Sequence, residues 1–214
     1  MNSRRTIIAF VIVSGLIDMT SRFTAVPRGQ LATIVTHLEM CGKPVARPFK
    51  PSALRLKRWQ APALDNYRQL YRRVGEPWLW FSRLVISDDA LIAIICDPAV
   101  EIFAVLDRQG IEVGLLELDF RTAHACEIAF LGLIPPLTGK GMGGWLMAQA
   151  LALAWRAGVK RVWLHTCTLD DPRALGFYIR HGFIPTAREI EITDDPRLTG
   201  VIARDAAPRV PLIE

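Results

Sequence analysis

The sequence predicts an α/β protein with a mixed, mostly antiparallel sheet flanked by helices. Apolar runs at 102–106 and 113–120 flank a four-residue turn, which indicates a β-hairpin, and a third strand is predicted at 126–134. A glycine-rich segment at 139–144 then leads into a long apolar helix. Of the 214 residues 51% are hydrophobic and 22% are charged, which is typical of a globular protein with a sizeable core.

The first 52 residues are expected to form an N-terminal arm or extension that adds possible extra strands. An apolar stretch at 31–38 predicts either a strand or a helical turn. Two arginines precede an apolar run at 7–17, which is compatible with a signal peptide, a buried strand or an upstream extension. The run is shorter than the roughly 20 residues that a membrane span needs. We therefore favour a cytoplasmic protein without a membrane segment.

The main domain is expected at 53–209, and two helices are predicted after its first strand. Alternation at 54–59 indicates that strand. The spacing of apolar residues from 64 to 74 predicts a helix that ends at Gly75. Ser87 is a candidate N-cap for a short apolar helix that follows.

Two helix–strand units are predicted after the glycine-rich segment. The first joins a helix at 145–157, closed by Gly158, to a strand at 159–166. The second joins a helix at 171–181 to a last strand at 183–192. This helix is predicted to begin with an Asp-Pro pair, as N-cap and first helical residue.

The charge and the cysteine pattern restrict the classes of function that the chain can have. Lys and Arg total 26 against 21 for Asp and Glu, and the basic residues are scattered, so composition does not indicate nucleic acid. A net charge of +5 suits a small polyanionic cofactor such as a nucleotide pyrophosphate. The four cysteines are far apart and lack a C-x-x-C pair, so we expect neither a metal site nor a disulfide framework.

The strongest functional signal is the loop at 138–144, which reads Thr-Gly-Lys-Gly-Met-Gly-Gly. Glycines let backbone N–H groups turn inward, and the following helix N-terminus adds partial positive charge, so the loop predicts a phosphate cradle. Gly139, Gly141 and Gly144 also match the dinucleotide fingerprint G-x-G-x-x-G. That fold places an acidic residue at the end of the next strand, where this chain has His165.

The same loop resembles the pyrophosphate loop of the GNAT superfamily of acyl-CoA-dependent N-acyltransferases, Arg/Gln-x-x-Gly-x-Gly/Ala. Thr138 stands where that family usually has Arg or Gln. The segment 168–178, followed by His-Gly-Phe at 181–183, resembles the family's second signature, a helix with a tyrosine shortly before a Gly-Phe pair. Asp171 stands where the family often has Asn. The two matches fall within about 101–192.

The resemblance implies acetyl-CoA as cosubstrate, held mostly by backbone groups between two central strands that splay apart. Strand residues near 131–134 would meet the pantetheine amides, and the glycine loop would hold the pyrophosphate. The residues that the resemblance assigns to the cofactor are Leu131, Leu133, Ile134, Thr138, Gly139, Lys140, Gly141, Met142, Gly143, Gly144, Asp171 and Tyr178.

The resemblance also implies transfer of acetyl to a primary amine by direct attack in a ternary complex, without a metal. Glu127 is the predicted base, because the stretch that it opens resembles the corresponding strand of the histone-acetylating branch. Glu117 on the neighbouring strand and His165 are the alternatives. Tyr178 is the predicted acid for the departing thiolate.

The acceptor is expected to be a small-molecule amine or an amine of a peptide or protein, and a homodimer is possible. Trp78 and Trp80 fall where such enzymes shape the acceptor pocket, although aromatic clusters in loops also serve as core. The off-pattern Thr138 and Asp171 keep a second class open, a catalytically degenerate acyl-CoA-binding sensor or scaffold. A dinucleotide-dependent oxidoreductase is the third alternative.

Overall fold

The computed structural model describes residues 23–45 and 52–214, so the apolar run at 7–17 lies outside the described residues. The strands are β1 (Gln30–Met40), β2 (Arg55–Trp59), β3 (Val100–Leu106), β4 (Glu112–Asp119), β5 (Ala125–Leu133), β6 (Arg161–Cys167) and β7 (Ile184–Asp194). The helices are α1 (Leu64–Gly75), α2 (Ser82–Val85), α3 (Asp88–Ile95), α4 (Met142–Ala154) and α5 (Ala174–Arg180). The strands form one sheet in the order β2-β3-β4-β5-β6-β1-β7, in which β5 and β6 are parallel and the other neighbours antiparallel. The predicted mixed, mostly antiparallel sheet is confirmed.

Helices cover the two faces of the sheet and create two cores. Alternation along β3 sends Ile102 and Ala104 toward α1 and α3, and Phe103 and Val105 toward α4. Helix α1 ends at Gly75 as predicted. The N-cap predicted before α3 is also confirmed, since the hydroxyl of Ser87 accepts the N–H of Ala90.

The stretch at 31–38 is part of a strand, and that strand occupies an interior position in the sheet. β1 pairs antiparallel with β6, with Val35 opposite Cys167. On its other side β1 pairs antiparallel with β7, where Ile34 lies opposite Ile190. The described part of the N-terminal arm therefore completes the sheet between two elements from the far end of the chain.

The predicted separation of two central strands is present between β5 and β6. Their parallel pairing covers three positions and ends where Glu127 lies opposite Trp163. The pairing of β5 with β4 shifts register after Glu117, which leaves Ala129 as an extra residue on β5. A bulge of this kind bends its strand. β5 thereby turns away from β6 and a cleft opens between them.

The predicted bounds of the helix after the glycine loop are wrong. α4 starts three residues earlier than expected, because Gly141 takes a left-handed backbone (φ 81°) from which the helix begins directly. It ends at Ala154, since Trp155 leaves helical geometry (ψ 72°). Gly158 then belongs to the turn that leads into β6.

The predicted N-cap of the last helix is also wrong. α5 begins at Ala174, and Asp171 lies in a turn before it. The Asp171 carboxylate accepts the backbone N–H of Arg173 at 2.9 Å, which stabilises a turn rather than the first turn of a helix.

Residues 195–214 follow β7 as an irregular tail that packs back on the protein. Ile202 and Ala207 join a small core with Leu31, Leu79 and Leu169. Through these contacts the tail packs against both the start of β1 and the loops that follow α1 and β6.

Candidate active site

A cleft of about 1630 Å³ lies where β5 and β6 separate. Its walls include β5 residues 128–133, His165 and Cys167 of β6, the glycine loop and α5. The gap between the two strands leaves the β6-facing edge of β5 without a strand partner beyond Glu127, so its backbone groups face the cleft.

The glycine loop presents its backbone to this cleft. Gly139 and Gly141 have left-handed φ values of 74° and 81°. A Cβ added at Gly141 would meet no described atom within 4 Å, so a ligand can approach the backbone there closely. The first N–H groups of α4 lack intrahelical partners and carry the positive end of the helix dipole. The loop therefore fits a phosphate group.

The structure brings most of the assigned cofactor residues to the cleft. The residues that line it are Leu131, Leu133, Thr138, Gly139, Gly141, Gly143, Gly144, Asp171 and Tyr178. Ile134 instead donates its N–H to the carbonyl of Val113 at 2.9 Å and packs into both cores. Met142 packs toward α4's core, and Lys140 is exposed on the loop outside the described lining.

Arg173 is a cleft residue that sequence reasoning missed. Its guanidinium lies 2.8 Å from the position that a Cβ on Gly139 would take, next to the glycine loop. Arg173 also forms two hydrogen bonds with the Asp171 carboxylate, at 2.9 and 2.5 Å, and these hold the pKa of Asp171 below its usual value. The sequence does contain a signal for this residue. Arg173 belongs to the second signature, and that segment lies near the glycine loop once β5 and β6 pair. Thr138 thus is not the sole side chain available to an anion at this loop.

Tyr178 lines the same cleft from α5. Its ring packs edge-on against Phe177 at 5.5 Å and Phe183 at 6.2 Å. Burial, and then the negative charge of Asp170, raises the pKa of Tyr178 well above its usual value. The phenol is therefore protonated at neutral pH and can donate a proton or a hydrogen bond into the cleft.

Glu127 and His165 form a pair at the point where β5 and β6 separate. Glu127 Oε1 lies 3.6 Å from His165 Nδ1. The interaction with Glu127 raises the pKa of His165, although burial works against it. Beyond His165 the ring of His37 on β1 lies at 6.0 Å, and its Nε2 is 3.4 Å from a Glu189 carboxylate oxygen. Two imidazole side chains on β6 and β1 thus lie between carboxylates on β5 and β7.

Glu117, the alternative base on β4, lies in the core rather than in the cleft. The side chain is fully buried beneath α1 and α2. One carboxylate oxygen accepts the hydroxyl of Tyr67 at 2.5 Å and the other accepts Arg83 at 2.7 Å. Burial and the nearby Glu117 charge raise the pKa of Tyr67, which keeps that hydroxyl protonated. Both oxygens are occupied away from the cleft.

An aromatic wall lines the cleft beside β5. Trp80 lies 5.2 Å from Phe130 and 5.7 Å from Tyr71, ring centre to ring centre. Its indole N–H donates to Asp170 at 3.1 Å, and a Cβ on Gly132 would come within 3.0 Å of its ring. Trp80 therefore packs as core and lines the cleft at once. Trp78 also lines the cleft, with the Arg209 guanidinium 5.1 Å from its ring centre.

In residues 23–45 and 52–214, no group of three or more His, Cys, Asp or Glu residues is placed to hold a metal ion. None of the helices described in these ranges combines the length and apolar character that crossing a membrane requires.

Comparison with known proteins identifies the family. The sequence profile described as the Acetyltransferase (GNAT) family matches residues 56–183. This is more than half of the chain, which therefore belongs to the GNAT family. The resemblance predicted from the two signatures is confirmed. The match does not include β1. It also ends at residue 183, before β7 and the tail.

Solved structures share the fold at low sequence identity. A GCN5-related N-acetyltransferase from Kribbella flavida is 17% identical, with a TM-score of 0.52 over 80% of this chain and 63% of its own. One from Sphaerobacter thermophilus is 20% identical, with a TM-score of 0.50 over 79% of this chain and 53% of its own. A chimera of spermidine N-acetyltransferase SpeG from Vibrio cholerae and hSSAT is 22% identical, with a TM-score of 0.51 over 64% of this chain and 83% of its own.

The chain spans less than two thirds of the length of the first two of these structures. No curated protein matches it in sequence. These likenesses describe the fold, and the acceptor and the chemistry have to be argued from this chain's own cleft.

Proposed function

We propose that the protein transfers an acetyl group from acetyl-CoA to a primary amine by direct attack in a ternary complex. The observation that carries the proposal is the charge distribution along the cleft. The cleft lining includes the glycine loop at the α4 N-terminus and Arg173, which suit a polyanion. It also includes Glu189 and Glu191 of β7, which suit a cation. Acetyl-CoA and an ammonium group match these two sets of residues.

The cosubstrate end is built largely from backbone. The glycine loop and Arg173 would bind the pyrophosphate, and the unpaired edge of β5 near Leu131 and Leu133 would bind the pantetheine amides. The cleft volume of about 1630 Å³ exceeds the 300–1,000 Å³ common for drug-sized ligands. It therefore leaves room for an acceptor beside an extended cosubstrate.

The reaction needs three things from the protein. The ammonium must lose one proton to free the nitrogen lone pair, which forms the C–N bond at the thioester carbonyl as the C–S bond breaks, and the nitrogen loses a second proton to solvent as the amide forms. We assign the amine proton to the Glu127–His165 pair at the strand separation. The departing thiolate, with an ordinary pKa of about 8.5, takes a proton from Tyr178, whose phenol is protonated at neutral pH.

The acceptor is proposed to be a small-molecule amine, with peptide and protein amines as the alternative. A similar fold occurs in the spermidine N-acetyltransferase chimera, which supports amine acceptors for this kind of cleft. A compact cationic amine fits the acidic residues that β7 adds to the cleft lining. The cytoplasm is the proposed site of the reaction.

The proposal is tested by two measurements on the same preparation. Isothermal titration with coenzyme A reports binding, and thiol release from acetyl-CoA with a panel of amines reports transfer. Binding together with amine-dependent thiol release supports the proposal. Binding without release from any amine would favour the sensor or scaffold, and a folded protein that does not bind coenzyme A would exclude both.

A further inference from the structure

We infer that His165 is the group that receives the proton of the acceptor amine, and that Glu127 is a positioning residue that acts through His165. This inference rests on the proposed acetyl transfer and divides the work of the proposed base pair. It reverses the order of candidates obtained from the sequence, in which Glu127 came first.

The positions of the two side chains relative to the cleft carry the inference. His165 lines the cleft, whereas Glu127 is not among the residues that line it. The His165 side chain is 49% exposed and that of Glu127 is 21% exposed. A base has to come within hydrogen-bond reach of the proton that it takes. An amine entering the cleft would meet the imidazole before the carboxylate.

The orientation of the imidazole agrees with this division. His165 Nδ1 faces Glu127 Oε1 at 3.6 Å. A negative carboxylate at this distance favours the tautomer with the proton on Nδ1, which leaves the Nε2 lone pair available to the substrate. The carboxylate also stabilises the imidazolium that forms when Nε2 takes a proton.

The electrostatic surroundings of His165 make it a better proton acceptor than an isolated imidazole. Glu127 from β5 raises the pKa of His165, and Asp170 and Glu191 add to this effect. His37 from β1 faces the ring from the other side, with Glu189 of β7 beside it to balance any charge on His37. An ordinary imidazole titrates near pH ~6.5, so a raised pKa brings the base close to neutral pH, where general bases are most effective.

The proton transfer balances without a further reactant. One ammonium proton moves to His165 Nε2, and the resulting imidazolium pairs with Glu127. The freed lone pair attacks the thioester carbonyl, the C–S bond breaks, and the thiolate receives the Tyr178 proton. The nitrogen releases its second proton to solvent as the amide forms. Solvent then removes the proton from His165 and returns one to Tyr178, which restores the starting state with one net proton released.

The test compares pH profiles of kcat/KM for the unmodified protein and a set of variants with one active amine. In His165→Gln we expect kcat/KM at pH 7 to fall by roughly 10²–10⁴. The acid limb of the kcat/KM profile that reports His165 should be lost in this variant. The rate should then rise with pH only as the free amine appears. In Glu127→Gln the acid limb should persist but move to lower pH, because the imidazole loses the carboxylate that raises its pKa.

Two further readouts separate positioning from direct proton transfer. The double variant should be no slower than His165→Gln alone, because Glu127 acts through His165. Added imidazole should restore part of the rate of His165→Ala and none of the rate of Glu127→Gln. Glu112→Gln, a carboxamide substitution at the start of β4 outside the described cleft lining, is the matched control and should keep the original profile.

The inference is overturned if Glu127→Gln removes the acid limb while His165→Gln only moves it, because Glu127 would then be the direct base. It is also overturned if the fold losses in kcat/KM of the two single variants multiply in the double variant. Coenzyme A affinity and melting temperature, measured for every variant, identify losses that come from misfolding. Absence of transfer by the unmodified protein with every amine would remove the proposed function itself, whereas transfer with an unchanged His165→Gln profile would remove this inference alone.

Discussion

Replacement of Arg197 by methionine should destabilise the protein strongly, because it breaks a buried ion pair from one side. Arg197 and Asp195 are 2% and 3% exposed at their side chains, and two hydrogen bonds at 3.0 and 2.7 Å join the guanidinium to the carboxylate. The guanidinium also donates to the carbonyls of Ala206, Val210 and Pro211 in the tail. Arg197→Met leaves the carboxylate and these carbonyls without their partner.

Removal of one partner of a buried pair costs about 3–5 kcal/mol. For a protein of this size that corresponds to a fall in Tm of about 6–20 °C, at roughly 2–4 °C per kcal/mol. The loss of unfolding free energy also depends on pH. Burial opposes ionisation of Asp195, but the hydrogen bonds from Arg197 outweigh it and hold the pKa of Asp195 below its usual value.

The sign of that pH dependence follows from linkage. A lowered pKa in the folded state gives stability that is present above the unfolded value of about 3.9 and is lost as pH falls through the folded pKa. In Arg197→Met the buried Asp195 carboxyl no longer has the guanidinium, so its pKa rises instead. The difference in unfolding free energy between the two proteins should therefore be largest near pH 7 and shrink toward pH 4.

The assay is urea unfolding followed by far-UV circular dichroism at pH 7 and pH 4. Arg204→Met is the matched control, since Arg204 forms a solvent-exposed pair with Glu214 in the same tail. Exposed pairs contribute about 0–1 kcal/mol, so this variant should unfold almost as the unmodified protein does. Equal midpoints for Arg197→Met and Arg204→Met, or a loss that is the same at both pH values, would refute the reasoning.

Three other substitutions test the cleft and the buried Glu117. Gly141→Val should raise the Kd for coenzyme A at least about tenfold by filling the approach to the loop, whereas Gly158→Val carries the same left-handed backbone strain in an equally open place and should leave that Kd unchanged. Equal binding defects in the two variants would assign the effect to strain. Tyr178→Phe should lower kcat without recovery at high pH, because a proton donor for the thiolate is still missing; unchanged kcat in stopped-flow thiol release would make its hydroxyl structural. Glu117→Gln should cost about 3–5 kcal/mol of stability because Arg83 stays buried without its counterion, and a variant of full stability but no turnover would restore Glu117 as a base.

Local signals in the sequence predicted the elements that depend on local physics. Strands β3, β4 and β5 follow from apolar runs, and α1 follows from helical spacing that ends at Gly75. The glycine loop also follows from its own residues, because a positive φ and an open approach are requirements that glycine meets best. The error at Asp171 is local too, since an Asp-Pro pair stabilises a turn as readily as a helix start.

Local sequence patterns could not predict the features that join distant parts of the chain. Nothing in residues 30–40 specifies that they pair with β6 and β7 rather than with β2. The partnership of Glu117 with Tyr67 and Arg83 depends on how α1 and α2 lie on β4. The Glu127–His165 pair could have been found from the sequence, because parallel pairing of the two strands brings the start of β5 beside β6.

The interior position of β1 makes the order of synthesis matter. More than a hundred residues separate Met40 from Arg161, so a ribosome releases β1 long before either of its neighbours exists. Such distant pairing is slow to form, and until then β6 and β7 each present an open edge to other nascent chains. The register places Gln30 directly opposite Asp194. Because the Gly29 N–H donates to the Ile213 carbonyl at 2.9 Å, a circularly permuted gene that continues from the tail into Gly29 would place β1 after both of its neighbours and remove that wait.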